Sequence, residues 1–139
     1  MFTHPESVCT GFLAGNVEQF NPGFYILKTS PPSASVVAAG PFIERMTHIC
    51  LDQAWLANAA VHFLFISNLD LVDQVWGPRG YRYAMMTAGM LGERIYLMAT
   101  AMGLGCCGIG AFYDMEAAEL LGLNSTSRLL YLVAVGPVK

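Results

Sequence analysis

Gly103-Leu104-Gly105-Cys106-Cys107-Gly108-Ile109-Gly110-Ala111-Phe112-Tyr113-Asp114 is the stretch on which the fold turns. Four glycines fall within the eight residues 103–110, so no stable helix runs through them. The dinucleotide fingerprint needs a strand before its glycines and a helix opening at them; here a long helical pattern comes first. No Lys-Ser or Lys-Thr follows the glycines, which excludes a phosphate-binding P-loop. Two readings stay open. Glycines leave backbone N–H groups accessible to a flat ligand, with no Cβ in the way. Alternatively, Gly103 or Gly105 caps the preceding helix while Gly108 and Gly110 allow a tight sheet crossing.

Upstream of the glycines, Tyr81 to Met102 is the longest helical pattern. Tyr83, Met86, Met90 and Leu97 make one apolar side, and Ala84, Ala88 and Gly92 form a stripe of small residues at i, i+4 and i+8. Such a stripe lets a second helix approach closely. A helix apolar almost all round is buried, here expected against a copy of itself, the alternative being burial within one subunit. Downstream, Asp114 is expected to cap a helix reaching about Leu121, with Glu116 in its first turn and Gly122 at its end.

Leu129–Val135 and Ala60–Ile66 are continuous apolar runs of the kind found in strands buried on both faces. Phe24–Lys28 reads as a further strand, after the turn signal Asn21-Pro22-Gly23. Residues 1–23 show weak periodicity, and 29–40, rich in Ser, Pro and Ala, reads as a loop. A helix is expected from Pro41 to about Asn58, a short one over Leu69–Val75, and a break at residues 77–80. The fold class is therefore α+β or α/β around one central sheet with flanking helices. There is no internal repeat and no linker, so residues 1–139 are expected to form a single domain.

Seven Lys and Arg stand against ten Asp and Glu, a net charge of -3. That balance excludes a nucleic-acid binder working by displaced counterions. Only 12% of residues are charged, against about 25% in ordinary domains. The hydrophobic fraction is 55% and the mean hydropathy +0.48, which excludes intrinsic disorder. So few charges cover a small monomer poorly, and a homodimer is expected. The uncharged runs are too polar or too glycine-rich for a membrane span, and the N-terminus lacks a signal-peptide pattern; the expected compartment is the cytoplasm.

Cys9, Cys50, Cys106 and Cys107 include no C-x-x-C pair, and His4, His48 and His62 add no ligand spacing, so no metal site is expected. The cysteines read as reduced, buried thiols, and the apolar setting of Cys106 and Cys107 raises their pKa and leaves them inert. Glu116 and Glu119 read as a solvated helix face, and Ser125-Thr126-Ser127 as a loop without a nearby base. Trp55, Trp76 and Tyr81 are read as core or interface aromatics, with ligand stacking as the alternative.

Tyr81-Arg82-Tyr83, Ala88-Gly89, Leu97-Met98-Ala99, the glycine stretch through Asp114, Leu120-Leu121-Gly122-Leu123 and Leu130–Gly136 occur in this order. Upstream stand Pro22-Gly23-Phe24-Tyr25 and Gln53-Ala54-Trp55-Leu56-Ala57-Asn58-Ala59. This succession, over roughly residues 18–137, resembles the nitroreductase superfamily of FMN-dependent oxidoreductases, most closely its SagB-type dehydrogenase branch. The resemblance implies a nitroreductase-like α+β fold and a homodimer with the long central helix at its interface. It also implies FMN in an interfacial cleft and two-electron transfer between NAD(P)H and a small organic substrate. By the same resemblance, Gly108, Ile109, Gly110, Ala111 and Phe112 pass beside the flavin ring, with a backbone amide of Gly110 or Ala111 turned to its N5. Arg82 is the candidate for the phosphate, a structural role being its alternative.

Departures from the family are as informative. Its N-terminal Arg-Arg-Ser-type contacts have no counterpart in Met1 to Pro22, so the domain is expected to be shortened at its N-terminus. The basic residues left to meet a phosphate are Lys28, Arg45, Arg79, Arg82, Arg94, Arg128 and Lys139. Val75 and Trp76 stand where azoline-oxidising members carry a Lys-Tyr pair, which argues against that reaction. The alternative to the enzyme is a flavin-free, non-catalytic homologue that binds a small molecule or serves as a partner subunit.

Overall fold

The two apolar runs form the middle of the sheet. In the computed structural model, which describes residues 7–29 and 31–137, strand β4 (Val61–Asn68) pairs antiparallel with β6 (Ser127–Pro137). Alternate residues of both strands go to opposite faces, and both faces are covered, so the runs carry little polar interruption. β1 (Cys9–Ala14) pairs with the other side of β4, β2 (Gly23–Thr29) with β1, and β3 (Pro32–Ala39) with β2. β5 (Leu104–Ile109) lines the far side of β6, giving the order β3-β2-β1-β4-β6-β5 with every pair antiparallel.

One face carries α1 (Phe42–Ile49) and α4 (Asp114–Leu121), which bury Ile43, Met46, Ala117 and Leu121 over Leu13, Leu64 and Leu132. The other face carries α2 (Leu69–Trp76) and the long α3 (Gly80–Ala101). The Asn68 side chain caps α2, accepting the N–H groups of Asp70 and Leu71 at 3.1 and 3.2 Å. Gly122, in the left-handed region at φ 67°, closes α4 as expected. Among the described residues no helix is long and apolar enough to cross a membrane.

Several expectations are corrected. Residues 9–14 of the weakly periodic N-terminal segment form an inner strand, because ladders on both sides satisfy its backbone. The Ser, Pro and Ala stretch within 29–40 supplies β3, an edge strand exposed along its whole length. No side chain there packs on a core, so the pairing with β2 left no pattern in the sequence. The helix expected from Pro41 to Asn58 ends at Ile49. Leu51 and Asp52 take left-handed conformations, φ 63° and 55°, before a 3₁₀ turn over Ala54–Asn58. His48 Nδ1 lies 2.7 Å from Asp52 Oδ1, and Gln53 Nε2 donates to the Cys50 carbonyl at 3.0 Å, fixing that break. Asp114 is the first residue of α4 and makes no side-chain cap; Tyr113 holds the capping position.

The two faces of α3 are exchanged relative to expectation. Ala84, Ala88 and Gly92 pack onto the protein's own sheet, beside Phe65, Leu130 and Val133, and are not a seat for a second helix. The sheet is bulky there, so small residues let the helix sit close. The stripe from Tyr83 to Leu97 points outward instead, with Met86 55% and Leu97 63% exposed.

Candidate functional site

The glycine stretch does two jobs in succession. Gly103, at φ 74°, follows the end of α3, and residues 104–109 run back along β6 as the edge strand β5. Of the expected pair, Gly108 lies within the strand and Gly110 just beyond its end, while Gly103, not Gly105, follows the helix; Gly105 belongs to β5. Gly110, Ala111 and Phe112 then lead off the strand into α4.

This segment is held at both ends. The Gly108 N–H donates to the Tyr96 hydroxyl, reaching from α3. The Tyr113 N–H donates to the Ile49 carbonyl of α1 at 3.0 Å, and the half-buried Phe112 side chain packs against the core cluster on that face of the sheet. Between these points Gly110 and Ala111 are exposed, and their N–H groups make no hydrogen bond to any described residue. Nothing lies within 4 Å of where a Gly110 Cβ would stand. Two free donors on a braced, exposed backbone, with no side chain crowding Gly110, suit the edge of a flat acceptor-bearing ring.

Gly108 is gripped from a second side. A Cβ there would lie 1.7 Å from the Tyr131 hydroxyl, and one at Gly92 would lie 2.6 Å from the same ring. Tyr131 thus fills the gap between α3 and β5, stacked on Phe65 at 6.2 Å. Burial, then the neighbouring Tyr96, Cys107 and Cys106, push its hydroxyl pKa up, so it stays protonated near neutral pH. Desolvation likewise raises the Cys106 thiol, and Cys106 and Cys107, expected to be buried, are half-buried because they lie on the edge strand β5. Cys50 is pushed up to about 11 by burial. Cys9, expected to be buried, is exposed, because it opens β1 at the rim of the sheet.

Gly108, Ile109, Gly110, Ala111 and Phe112 thus form one continuous feature. Arg82 is exposed in the first turn of α3, with no hydrogen bond or ion pair to the segment. Arg128 is turned to the carbonyls of Ser125 and Ser127, at 3.0 and 2.8 Å. Trp76 packs edge-on against Tyr83, ring centres 6.5 Å apart. Trp55 is exposed and, with Asn58 and Cys107, lines a pocket of about 340 Å³. A larger groove of about 860 Å³, walled by Val61, Phe63, Ile95, Met98 and Met102, runs beside α3. His62 is fully buried, its Nε2 3.0 Å from the Leu56 carbonyl and its Nδ1 without a partner among the described residues. Among the described residues no cluster of three or more His, Cys, Asp or Glu could hold a metal. His4 and Lys139 lie outside the described residues. Reading the sequence missed Tyr96 and Tyr131, whose positions on a helix and a strand carry no pattern that singles them out.

Comparison with known proteins bears on this arrangement. The profile of the Nitroreductase family matches residues 26–137. A protein of Methanocaldococcus jannaschii that bears the name of a nitroreductase is 39% identical over 80 residues, covering 58% of this chain and 40% of its own. The crystal structure of a protein from Anabaena variabilis, likewise named a nitroreductase, superposes with a TM-score of 0.90 at 28% identity. That match covers 95% of this chain and 27% of the other. The NADPH:FMN oxidoreductase from Vibrio harveyi, solved with NAD+, matches 70% of this chain and 46% of its own at TM-score 0.59 and 22% identity, a likeness of fold. The chain thus spans less than half the length of each of these relatives.

Proposed function

Because the chain belongs to the nitroreductase family, we propose that it works as an FMN-dependent oxidoreductase, transferring two electrons between NAD(P)H and a small organic substrate. The observation that carries this reading is the pair of N–H groups at Gly110 and Ala111, unpartnered among the described residues, on an exposed segment braced at both ends, with room for a Cβ at Gly110. A bound flavin supplies the hydride chemistry through its ring. The chain's own part is to hold that ring. The amides of Gly110 and Ala111 would donate to acceptors on its edge, favouring negative charge there. The bareness of Gly110 admits the ring close to the backbone, and Phe112, anchored in the core, keeps the segment from swinging away.

The second part of this proposal is a homodimer joined through the outer face of α3. Tyr83, Met86, Met90 and Leu97 give that face an apolar stripe interrupted by few charges. A cytoplasmic location belongs to the same reading, as does the likeness to the SagB-type branch in the order of its motifs. The alternative is a flavin-free homologue acting as a binder or partner subunit, with no phosphate held by Arg82. A visible absorption spectrum, before and after incubation with FMN and desalting, separates the two. Retained flavin bands, followed by NAD(P)H oxidation with an added acceptor, are the expected result. Colourless protein after loading would overturn the enzyme reading.

A further inference from the structure

We propose that Tyr96 is a positioning residue: its hydroxyl, by accepting the Gly108 N–H, sets the direction in which the Gly110 and Ala111 amides point. The flavin-related part of this proposal rests on the function given above; the backbone part does not.

Among the described residues β5 is the outermost strand, so on its outer side the sheet offers no strand to receive an N–H or supply a donor. An edge of this kind is free to bend or fray. The Gly108 N–H escapes that freedom because Tyr96 reaches across from the flank of α3 to accept it. Tyr131 closes the opposite side, its hydroxyl occupying the space in front of the Gly108 α-carbon. The backbone leaves this grip two residues before Gly110. From there to the Tyr113 N–H, which is held by the Ile49 carbonyl, few rotatable bonds remain. Both ends of the arc are fixed to helices on opposite faces of the sheet, α3 in front and α1 behind. Neither free amide has a partner of its own, so their orientation is inherited from these two anchors. Of the two, the Ile49 contact is backbone to backbone and beyond the reach of side-chain substitution. Tyr96 is the side chain whose chemistry the arrangement depends on, and phenylalanine at 96 removes only the acceptor.

The test is Tyr96→Phe in the full chain, checked by far-UV circular dichroism for unchanged secondary structure. In the flavin-free protein, the Gly108 amide should exchange with solvent about tenfold faster, the effect of losing one ordinary hydrogen bond. The Gly110 and Ala111 N–H resonances should move, while those of α4 stay in place. With FMN added, the variant should bind about tenfold more weakly and show a displaced flavin absorption band. Unchanged exchange at Gly108 together with unmoved Gly110 and Ala111 resonances overturns the positioning role. Altered amides with an unchanged FMN dissociation constant and flavin band overturn its link to the cofactor. If the unsubstituted protein takes up no FMN, the proposed function fails, while the exchange measurement still decides what Tyr96 does to the backbone.

Discussion

Gly108→Ala places a methyl group where the structure has no room for one. The new Cβ would stand 1.7 Å from the Tyr131 hydroxyl oxygen, 2.6 Å from its Cζ and 3.1 Å from its Cε1. The first two are far inside contact distance and the third is tight, so the ring has to move. It cannot move freely: α3 closes on it at Gly92, where a Cβ would lie 2.6 Å from Cε2, and Phe65 stacks on it. Overpacking of a confined core typically costs about 1–3 kcal/mol. The hemmed ring puts Gly108→Ala in the upper part of that range, about 2–3 kcal/mol. For a domain of this size roughly 3–5 °C of melting temperature follow each kcal/mol, so a fall of about 6–15 °C is expected. Differential scanning calorimetry at fixed protein concentration gives the reading. Two companions sharpen it. Gly110→Ala, with nothing within 4 Å of the added carbon, should melt like the parent. Tyr131→Phe in the Gly108→Ala background removes the 1.7 Å contact but leaves the ring carbon at 2.6 Å, so it should restore about half of the loss. A Gly108→Ala protein melting within about 2 °C of the parent, or no lower than Gly110→Ala, would refute the account of Tyr131 as a wedge between α3 and β5.

The pH dependence of stability should carry an imprint of His62. Burial lowers its pKa in the folded protein, opposed by the Leu56 carbonyl, so the folded state holds fewer protons than the unfolded one. Its contribution is therefore fully present above the unfolded value of about 6.5 and is lost as pH falls below it. His48 acts with the opposite sign. Its hydrogen bond to Asp52 raises its pKa, so its contribution is present below about pH 6.5 and lost as pH rises through the folded value. Melting curves from pH 5 to 8 in a His48→Gln background should fall on the acid side, and adding His62→Leu should flatten them; an unchanged slope would exclude His62 as the cause. On the surface, Leu97→Glu puts a charge in the apolar stripe of α3 and should turn a dimer into a monomer by light scattering. A parent that is itself monomeric, or a variant that stays dimeric, rules out this face as the interface.

By itself the sequence determined the elements whose own side chains form a core. β4 and β6 were legible because burial on both faces demands an unbroken apolar run, and α4 because Gly122 ends it. The order of motifs around the glycine stretch also pointed to the family. Only the tertiary structure decided the rest. β1 and β3 exist through ladders to strands distant in sequence, and hydrogen bonds between backbones leave no mark on side-chain pattern. The helical period of α3 showed one small side and one large side, yet could not say which met the sheet. That depended on how much space Phe65, Leu130 and Tyr131 left above β4 and β6. Tyr96 and Tyr131 stayed invisible for the same reason. Their roles depend on a helix flank and a strand face converging on Gly108, a meeting that packing creates and local sequence does not encode.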